Sequence, residues 1–207
     1  MPSEPLPTYA KYFPSQSDDG GKKDKQDRIL DAAQRLFVRY GVKRTSVEDI
    51  VGEAGIAKGT LYLYYDSKDA LFAAVAGRLC AKLLEEVHRA VTASASLTER
   101  LVGLLDAYVG VLHRLVAESP HMAELIEGKQ SIASASFDTF DSETKVILQR
   151  TLNEAGITRD DAVEMFLAAA TGTLRLDETS EKEYRARLTK LVNILIIGLR
   201  HDPEQET

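Results

Sequence analysis

Hydroxyl and ammonium side chains are concentrated between residues 45 and 68 of this 207-residue chain. Together with backbone amides at helix N-termini, such groups are the donors that proteins use on the sugar-phosphate backbone of nucleic acids. Threonine and tyrosine hydroxyls add hydrogen bonds without charge, so a surface built from them binds phosphate without being strongly basic. The candidate phosphate-binding side chains are Thr45, Lys58, Thr60, Tyr62, Tyr64 and Lys68.

The charge distribution agrees with this interpretation. The whole chain has a formal net charge of -6 and a pI near 5.3, which excludes a protein that coats nucleic acid through a globally basic surface. Residues 22–68 nevertheless contain ten Lys or Arg against seven Asp or Glu, a net of +3, which leaves -9 for the remainder. A locally basic segment on an acidic body indicates two tasks in one chain.

The composition also excludes several other classes of protein. The single cysteine, Cys80, cannot form an internal disulfide or a thiolate metal site alone, and its apolar neighbours predict a buried thiol. The longest apolar run, residues 188–199, is shorter than a membrane span and is interrupted by Thr189, Lys190 and Asn193. The N-terminus has no signal-peptide pattern. We therefore expect a cytoplasmic protein without membrane association.

A second pattern would carry different chemistry. Glu85-x-x-His88 and Glu118-x-x-His121 have the spacing with which ferritin-like proteins hold two metal ions, and such a site would make the protein a di-metal carboxylate oxidase. Pro120 lies inside the second copy and disfavours a helical conformation in the residue before it, so Glu118 and His121 are not expected on one helical face. No catalytic triad or glycine-rich phosphate loop is evident, and we predict a non-enzyme without cofactor or metal.

The residues around the phosphate-binding candidates predict three helices after a leader. Residues 1–21 contain four prolines and two glycines, which predicts a flexible segment. An apolar stripe predicts a helix over about 24–40 that ends at Gly41. Two short helices follow, Thr45–Ala54 and Lys58–Tyr65, separated by a tight glycine turn. This arrangement is typical of a helix-turn-helix, whose second helix enters the DNA major groove.

The rest of the chain also has helical periodicity. Apolar residues at spacings of three and four predict a long fourth helix that begins at Asp66 or Ser67, and no segment has a strand pattern. We therefore predict an all-α protein of about nine helices. The remaining predicted helices are Leu97–Val116, a short piece near 121–127, Phe137–Leu152, Asp160–Leu176 and Ser180–Leu199.

The stretch from Arg28 to Phe72 resembles the N-terminal domain of the tetracycline-repressor (TetR) family of bacterial regulators. The most specific segment is TSVEDIVGEAGIAKGTLYLYYDSKDALF. Leu61 matches the buried anchor of the second helix, and Ala57 departs from the pattern because a serine usually caps that helix. Tyr40 and Tyr65 lie on apolar stripes and are predicted core residues. The residues that the resemblance places at DNA are Thr45, Lys58, Gly59, Thr60, Tyr62, Tyr64 and Lys68. Ser46, the candidate cap of the first short helix, completes the predicted DNA-binding set.

The resemblance implies a domain organisation and a mechanism. Residues 22–66 form the helix-turn-helix DNA-binding domain, and residues 67–207 form a helical bundle for effector binding and dimerisation. A small-molecule effector then moves the fourth helix and changes the separation of two DNA-binding domains in a homodimer. We interpret the chain as a ligand-responsive regulator, a repressor released from an inverted-repeat operator in double-stranded DNA. The alternatives are the oxidase and a helical interaction module that does not bind DNA.

Two further sets of residues are candidates for the effector site and the dimer interface. Aromatic and polar residues in the middle of the body suggest a concave, partly apolar site, and the last two helices offer a broad apolar face with small residues opposite. The predicted effector-binding residues are Tyr108, His113, Met122, Phe137, Phe140 and Phe166. The predicted interface residues are Ala168, Ala169, Gly172, Leu188, Leu191, Val192, Leu195, Ile196 and Leu199.

Overall fold

The computed structural model describes residues 11–12, 24–93, 95–119, 121–123, 133–174 and 180–200. All regular secondary structure in these ranges is helical, which confirms the predicted all-α class. The helices are α1 (Lys25–Tyr40), α2 (Val47–Ala54), α3 (Lys58–Tyr62), α4 (Lys68–Thr92), α5 (Leu97–Leu105), a π-helical segment (Asp106–Gly110), α6 (Val111–Glu118), α7 (Ser134–Glu154), α8 (Ala162–Leu174) and α9 (Glu181–Arg200).

The chain divides into two compact units, and α4, α6 and α7 contribute residues to both. The first unit comprises residues 1–82 and 114–139, and the second comprises 83–113 and 140–207. The predicted division after residue 66 follows the resemblance rather than contacts, and it stays a prediction. Most of the predicted leader lies outside the described residues, although Tyr12 is buried and its carbonyl accepts a hydrogen bond from Lys82 Nζ at 2.9 Å.

The first unit is built on the apolar stripe of α1. Ile29, Ala33 and Phe37 are buried, and α1 packs against α2. The ring of Phe37 meets Phe72 of α4 edge-on, with 6.1 Å between the ring centroids. Arg78 of α4 adds a polar link because its guanidinium donates to the Asp31 carboxylate of α1 at 2.7 Å. Contacts from both α2 and α4 therefore fix the position of α1.

Three helices begin with a capping box, in which a serine and an acidic residue three positions later bond to each other's backbone amide. The serines are Ser46 at α2, Ser96 at α5 and Ser180 at α9. The carboxylate partner at α2 is Asp49, whose pKa is lowered by its hydrogen bonds from the Ser46 side chain and amide. These boxes satisfy backbone donors at the helix start, which explains why the sequence located these boundaries correctly.

The predicted helix Leu97–Val116 is interrupted by the π-helical segment Asp106–Gly110. Position 110 has no room for a side chain, because a Cβ there would collide with the Asp106 carboxylate and the Tyr184 hydroxyl. The buried Asp106 also accepts a hydrogen bond from Arg185 of α9 at 3.1 Å. A wider turn, in which α9 side chains approach the backbone, explains the departure from regular α-helix.

Two local predictions were wrong. The second short helix ends at Tyr62 rather than Tyr65, because the amides of Tyr64 and Tyr65 both donate to the Leu61 carbonyl and close a turn. Tyr65 is buried as expected. Tyr40, the last residue of α1, was also predicted in the core but is 44% exposed. Its ring lies beside the Arg39 guanidinium instead. Within the described ranges, no helix is both long and apolar enough to cross a membrane.

Candidate nucleic-acid interface

The turn between α2 and α3 is fixed by backbone and side-chain bonds. Gly55 adopts a left-handed conformation with φ 62° and ψ 46°, and its amide and that of Ile56 donate to carbonyls in the last turn of α2. Arg28 of α1 donates to the Ala54 carbonyl at 2.6 Å and to the Gly55 carbonyl at 3.3 Å. The guanidinium thus holds the C-terminal end of α2 and the start of the turn, a positioning role that sequence reasoning missed.

The orientation of α3 follows from one buried side chain and one exposed ion pair. Leu61 is completely buried, as predicted for the anchor. Ala57 occupies the N-cap position and makes no side-chain cap, as its residue type requires. The next residue, Lys58, forms an ion pair in which its Nζ lies 2.5 Å from Glu48 Oε1. This contact lowers the pKa of Glu48 and raises that of Lys58. The ion pair thus connects the start of α3 with the first turn of α2.

Thr45 and Lys68 hold the loop before α2. The Thr45 hydroxyl donates to the Gly41 carbonyl at 2.8 Å, and the side chain is only 2% exposed. Lys68 Nζ donates to the carbonyls of Val42 at 3.0 Å and of Thr45 at 3.2 Å. Both residues were predicted to contact DNA directly. In the structure their hydrogen bonds hold the loop that precedes Ser46 and α2, and the DNA contacts of both residues stay predictions.

The other predicted DNA-binding residues lie at the surface of the same unit. Ser46, Lys58 and Gly59 are exposed, and Thr60 is half-buried. Tyr62 and Tyr64 are 43% and 39% exposed, so their hydroxyl-bearing side chains are accessible to a partner. The basic residues Lys43 and Arg44 are also exposed in the loop before α2. Hydroxyls, ammonium groups and a residue without a side chain are thus presented on α3 and the elements beside it.

Leu63 is a further exposed residue of this surface that the sequence did not single out. It follows α3 directly, and 83% of its surface is accessible. The signal was present in the spacing, because two residues correspond to 200° around a helix and place Leu63 opposite the anchor Leu61. Sequence reasoning missed it because only the polar residues of this segment were assigned a function.

The predicted effector residues do not all meet. Tyr108 and Phe140 are brought together, with ring centroids 5.8 Å apart, and the Tyr108 hydroxyl donates to Asp141. The pKa of Tyr108 is raised above its ordinary value, mainly by burial and to a smaller extent by this hydrogen bond. Phe166 is completely buried in the same unit, whereas His113 is exposed. The two remaining candidates are Met122 and Phe137. Both are buried, but they belong to the first unit.

The predicted dimer face on α9 needs a correction. Four of its residues are buried within the chain itself, where α9 packs on α5 and α8, and they are Leu188, Val192, Ile196 and Leu199. Leu191 and Leu195 are half-buried. Ile194 and Ile197, which lie off the predicted interface, are 63% and 62% exposed. Because apolar residues occupy most of the circumference of α9, periodicity could not tell its internal face from its exposed one.

Small residues predicted on the partner helix α8 remain accessible. Ala168 and Gly172 are exposed and Ala169 is half-buried. Met165 lies on the same helix and is 38% exposed. The surface available to a second subunit therefore includes most of the predicted α8 residues, together with the two exposed isoleucines of α9.

Three of the four residues of the di-metal alternative lie at the surface, and His121 is half-buried. Glu85, His88 and Glu118 are exposed, and the His88 ring nitrogen Nδ1 lies 2.8 Å from the Leu84 carbonyl. A ferritin-like site needs its carboxylates and imidazoles directed into a bundle core. Across the part of the chain that the structure describes, no three His, Cys, Asp or Glu side chains are grouped closely enough to hold a metal ion. The exposed positions remove the geometric basis of this alternative.

The fold and this site together define a helix-turn-helix protein. Residues 29–75 match the family model described as bacterial regulatory proteins, tetR family. The predicted resemblance is thereby confirmed for these residues.

Individual relatives support the same assignment. The chain is 41% identical over 63 residues to the uncharacterized HTH-type transcriptional regulator YvdT of Bacillus subtilis, covering 30% of this chain and 32% of that protein. It is 40% identical over 58 residues to the HTH-type transcriptional repressor KstR2 of Rhodococcus jostii, covering 28% of each. The matched region thus spans about a third of the length of these relatives.

The fold of a larger part of the chain is similar to a solved structure. The transcriptional regulator FadR from Bacillus subtilis, in complex with stearoyl-CoA, aligns with a TM-score of 0.59 and 20% sequence identity. The alignment covers 83% of this chain and 98% of that one. The likeness confirms the fold, and helices beyond the N-terminal domain are part of it.

Proposed function

We propose that this protein is a ligand-responsive, DNA-binding transcriptional regulator that acts as a repressor and catalyses no reaction. One observation carries the proposal. The helix-turn-helix presents hydroxyls, an ammonium group and a bare glycine on α3 and at the start of α2, while the buried Leu61 and the Arg28 hydrogen bond to the Ala54 carbonyl fix these helices. Relatives named as HTH-type transcriptional repressors support the direction of regulation.

The DNA target follows from the symmetry of a homodimer. Two DNA-binding domains related by a twofold axis require two related half-sites, so we propose an inverted-repeat operator. The exposed apolar residues of α8 and α9 are the surface that supports dimerisation. Because the target is chromosomal DNA, the cytoplasm is the expected location. In this proposal residues 22–66 bind DNA and residues 67–207 sense the effector and dimerise.

The effector is proposed to be a small, partly apolar molecule that lowers operator affinity. The aromatic pair Tyr108 and Phe140 supports an apolar contact surface in the second unit, and the Asp141 carboxylate beside it adds polarity. The FadR structure with stearoyl-CoA makes long-chain acyl-CoA the first class to test. Because α4 contributes to both units, we propose that it transmits the effector signal.

Selection of bound fragments from random and genomic DNA tests the central proposal. We expect enrichment of an inverted repeat whose affinity falls steeply with salt, as binding dominated by phosphate contacts requires. Lys58→Ala should weaken binding, while the matched control Lys182→Ala, which removes an exposed lysine from the start of α9, should not. Failure to enrich any sequence at moderate salt would contradict the function and favour a helical interaction module.

The effector proposal has a separate test based on reciprocity. A ligand that weakens operator binding by some factor must itself bind the operator complex more weakly by the same factor. Stearoyl-CoA is titrated against the free protein and against the protein saturated with operator, and its dissociation constant is compared. Equal binding in both states would show that this ligand is not an effector, without affecting the conclusion on DNA binding.

A further inference from the structure

Leu63 has the most exposed large hydrophobic side chain of the described residues. It is 83% accessible, although its neighbours in sequence include the completely buried Leu61. Its backbone has φ -71° and ψ -21°, so it continues the helical geometry of α3. The direction of its side chain is therefore set by the helix, about 200° around the axis from Leu61.

Gly59 shares this outward face of α3. It precedes Leu63 by four residues, and residues four apart are neighbours on a helix surface. A Cβ added to Gly59 would meet no other atom of the chain within 4 Å, and the residue does not have a positive φ. Neither packing nor backbone conformation of the chain therefore accounts for the glycine. The open space at Gly59 leaves room for a partner to approach the helix backbone closely.

The side chains around Leu63 indicate where this partner lies. Tyr62 and Tyr64, on either side, are exposed and carry hydroxyls suited to phosphate oxygens, and Lys58 stands at the start of the same helix. Polar groups at the edges of the face and an apolar group at its centre fit a groove bordered by phosphates. Leucine has no hydrogen-bond donor or acceptor in its side chain. The apolar group that base edges present in the major groove is the C5-methyl of thymine.

We propose that Leu63 is a specificity-determining residue that recognises one thymine in each half-site through its C5-methyl group. The proposal rests on the DNA-binding function proposed above and extends it to the base that is read. Gly59 brings α3 close to the base edges, and Leu63 then covers the methyl group. A cytosine at this position would offer no methyl group, and an adenine would offer an amino group that leucine cannot satisfy.

Replacement of thymine by deoxyuridine tests the contact because it removes only the methyl group. Each thymine of the selected operator is replaced in turn, in both half-sites together, and the dissociation constant is measured at fixed salt. For the wild-type protein we expect one symmetric position at which affinity falls about fourfold per half-site, the effect of uncovering one methyl-sized group. Wild-type binding that is insensitive to every such replacement would overturn the proposal.

The assignment to Leu63 requires protein variants. Leu63→Ala should bind the thymine operator more weakly and should no longer distinguish thymine from deoxyuridine at that position, whereas Leu63→Met should retain the preference. Val146→Ala is the matched control, since Val146 is 67% exposed on α7 and belongs to the other unit. Because Leu63 is exposed, its variants should unfold at the wild-type denaturant concentration.

Three outcomes distinguish the role of Leu63 from the function of the whole protein. Full deoxyuridine sensitivity in Leu63→Ala would show that another residue reads the methyl group. A change in oligomeric state without a change in DNA binding would assign the leucine to a protein contact instead. Both results would overturn the role of Leu63 and leave the regulator function intact. A wild-type protein that binds no DNA sequence would overturn both proposals together.

Discussion

Lys58 Nζ and Glu48 Oε1 lie 2.5 Å apart, so an ion pair links the two helices of the helix-turn-helix on their exposed side. Both side chains are more than half exposed, at 54% and 66%. The pair therefore contributes little to stability. Its importance is electrostatic: it places a carboxylate beside an ammonium group that we propose to meet DNA.

Removal of this carboxylate should strengthen DNA binding. Glu48→Gln takes a negative charge away from the surface and releases Lys58 for a phosphate oxygen. We expect tighter operator binding at low salt and a salt dependence whose log-log slope is steeper by about one unit per half-site. The measurement is a titration of operator DNA at several salt concentrations. Glu53→Gln is the control, because Glu53 is also on α2 but pairs with Arg35 of α1 at 2.9 Å.

The result for Glu48→Gln distinguishes two roles of the ion pair. If Lys58 needs Glu48 to hold its position, operator affinity will fall rather than rise. The lowered pKa of Glu48 gives a related test, since protonation of this carboxyl weakens the pair as pH falls through its folded-state pKa. A wild-type protein should then approach the variant in operator affinity at acidic pH.

Loss of the Thr45 hydroxyl should destabilise the fold. Thr45→Val keeps the shape of the side chain but leaves the Gly41 carbonyl without its hydrogen-bond donor. The expected cost is about 1–2 kcal/mol of unfolding free energy, measured by urea denaturation. Thr139→Val is the control, because Thr139 bonds to a helical carbonyl on an exposed surface. Wild-type stability combined with lost operator affinity would instead indicate that Thr45 contacts DNA directly.

Addition of a methyl group at Gly59 should separate stability from DNA binding. Gly59→Ala improves helix propensity, so the unfolding free energy should rise by up to about 1 kcal/mol. Operator affinity should fall because the new Cβ holds α3 away from the groove. Gly52→Ala provides the reference for the stability gain, since Gly52 is also helical and a Cβ added there would meet no atom within 4 Å. Unchanged operator affinity in Gly59→Ala would contradict the close approach of α3 to DNA.

The proposed dimer surface predicts opposite effects for two kinds of α9 variant. Charges at the exposed Ile194 and Ile197, introduced together as Ile194→Glu and Ile197→Glu, should give a folded monomer in light scattering. Leu188→Ala should instead lower the unfolding free energy by about 2–5 kcal/mol, because Leu188 is fully buried within its own chain. Val146→Glu serves as the exposed control. A double variant that remains dimeric would place the interface elsewhere.

The sequence by itself determined the features that depend on neighbours within a few residues. Ser46 and Ser180 mark helix starts because their capping partners lie three residues away, and Gly55 and Gly156 mark helix ends because both need a positive φ. The order of these signals around Leu61 was sufficient to identify the helix-turn-helix. The polar residues of its exposed surface followed from the same segment.

Only the tertiary structure decided features that depend on residues distant in the chain. Arg28 reaches the end of α2 across 26 positions, and the wider turn around Gly110 depends on Tyr184 of α9. Ile194 and Ile196 are both apolar residues of α9, and the sequence pattern did not distinguish them. Ile196 is buried because its face of α9 packs on α5 and α8, whereas Ile194 is exposed. Local spacing fixes the face on which a side chain lies, whereas burial of that face depends on which other helices pack against it.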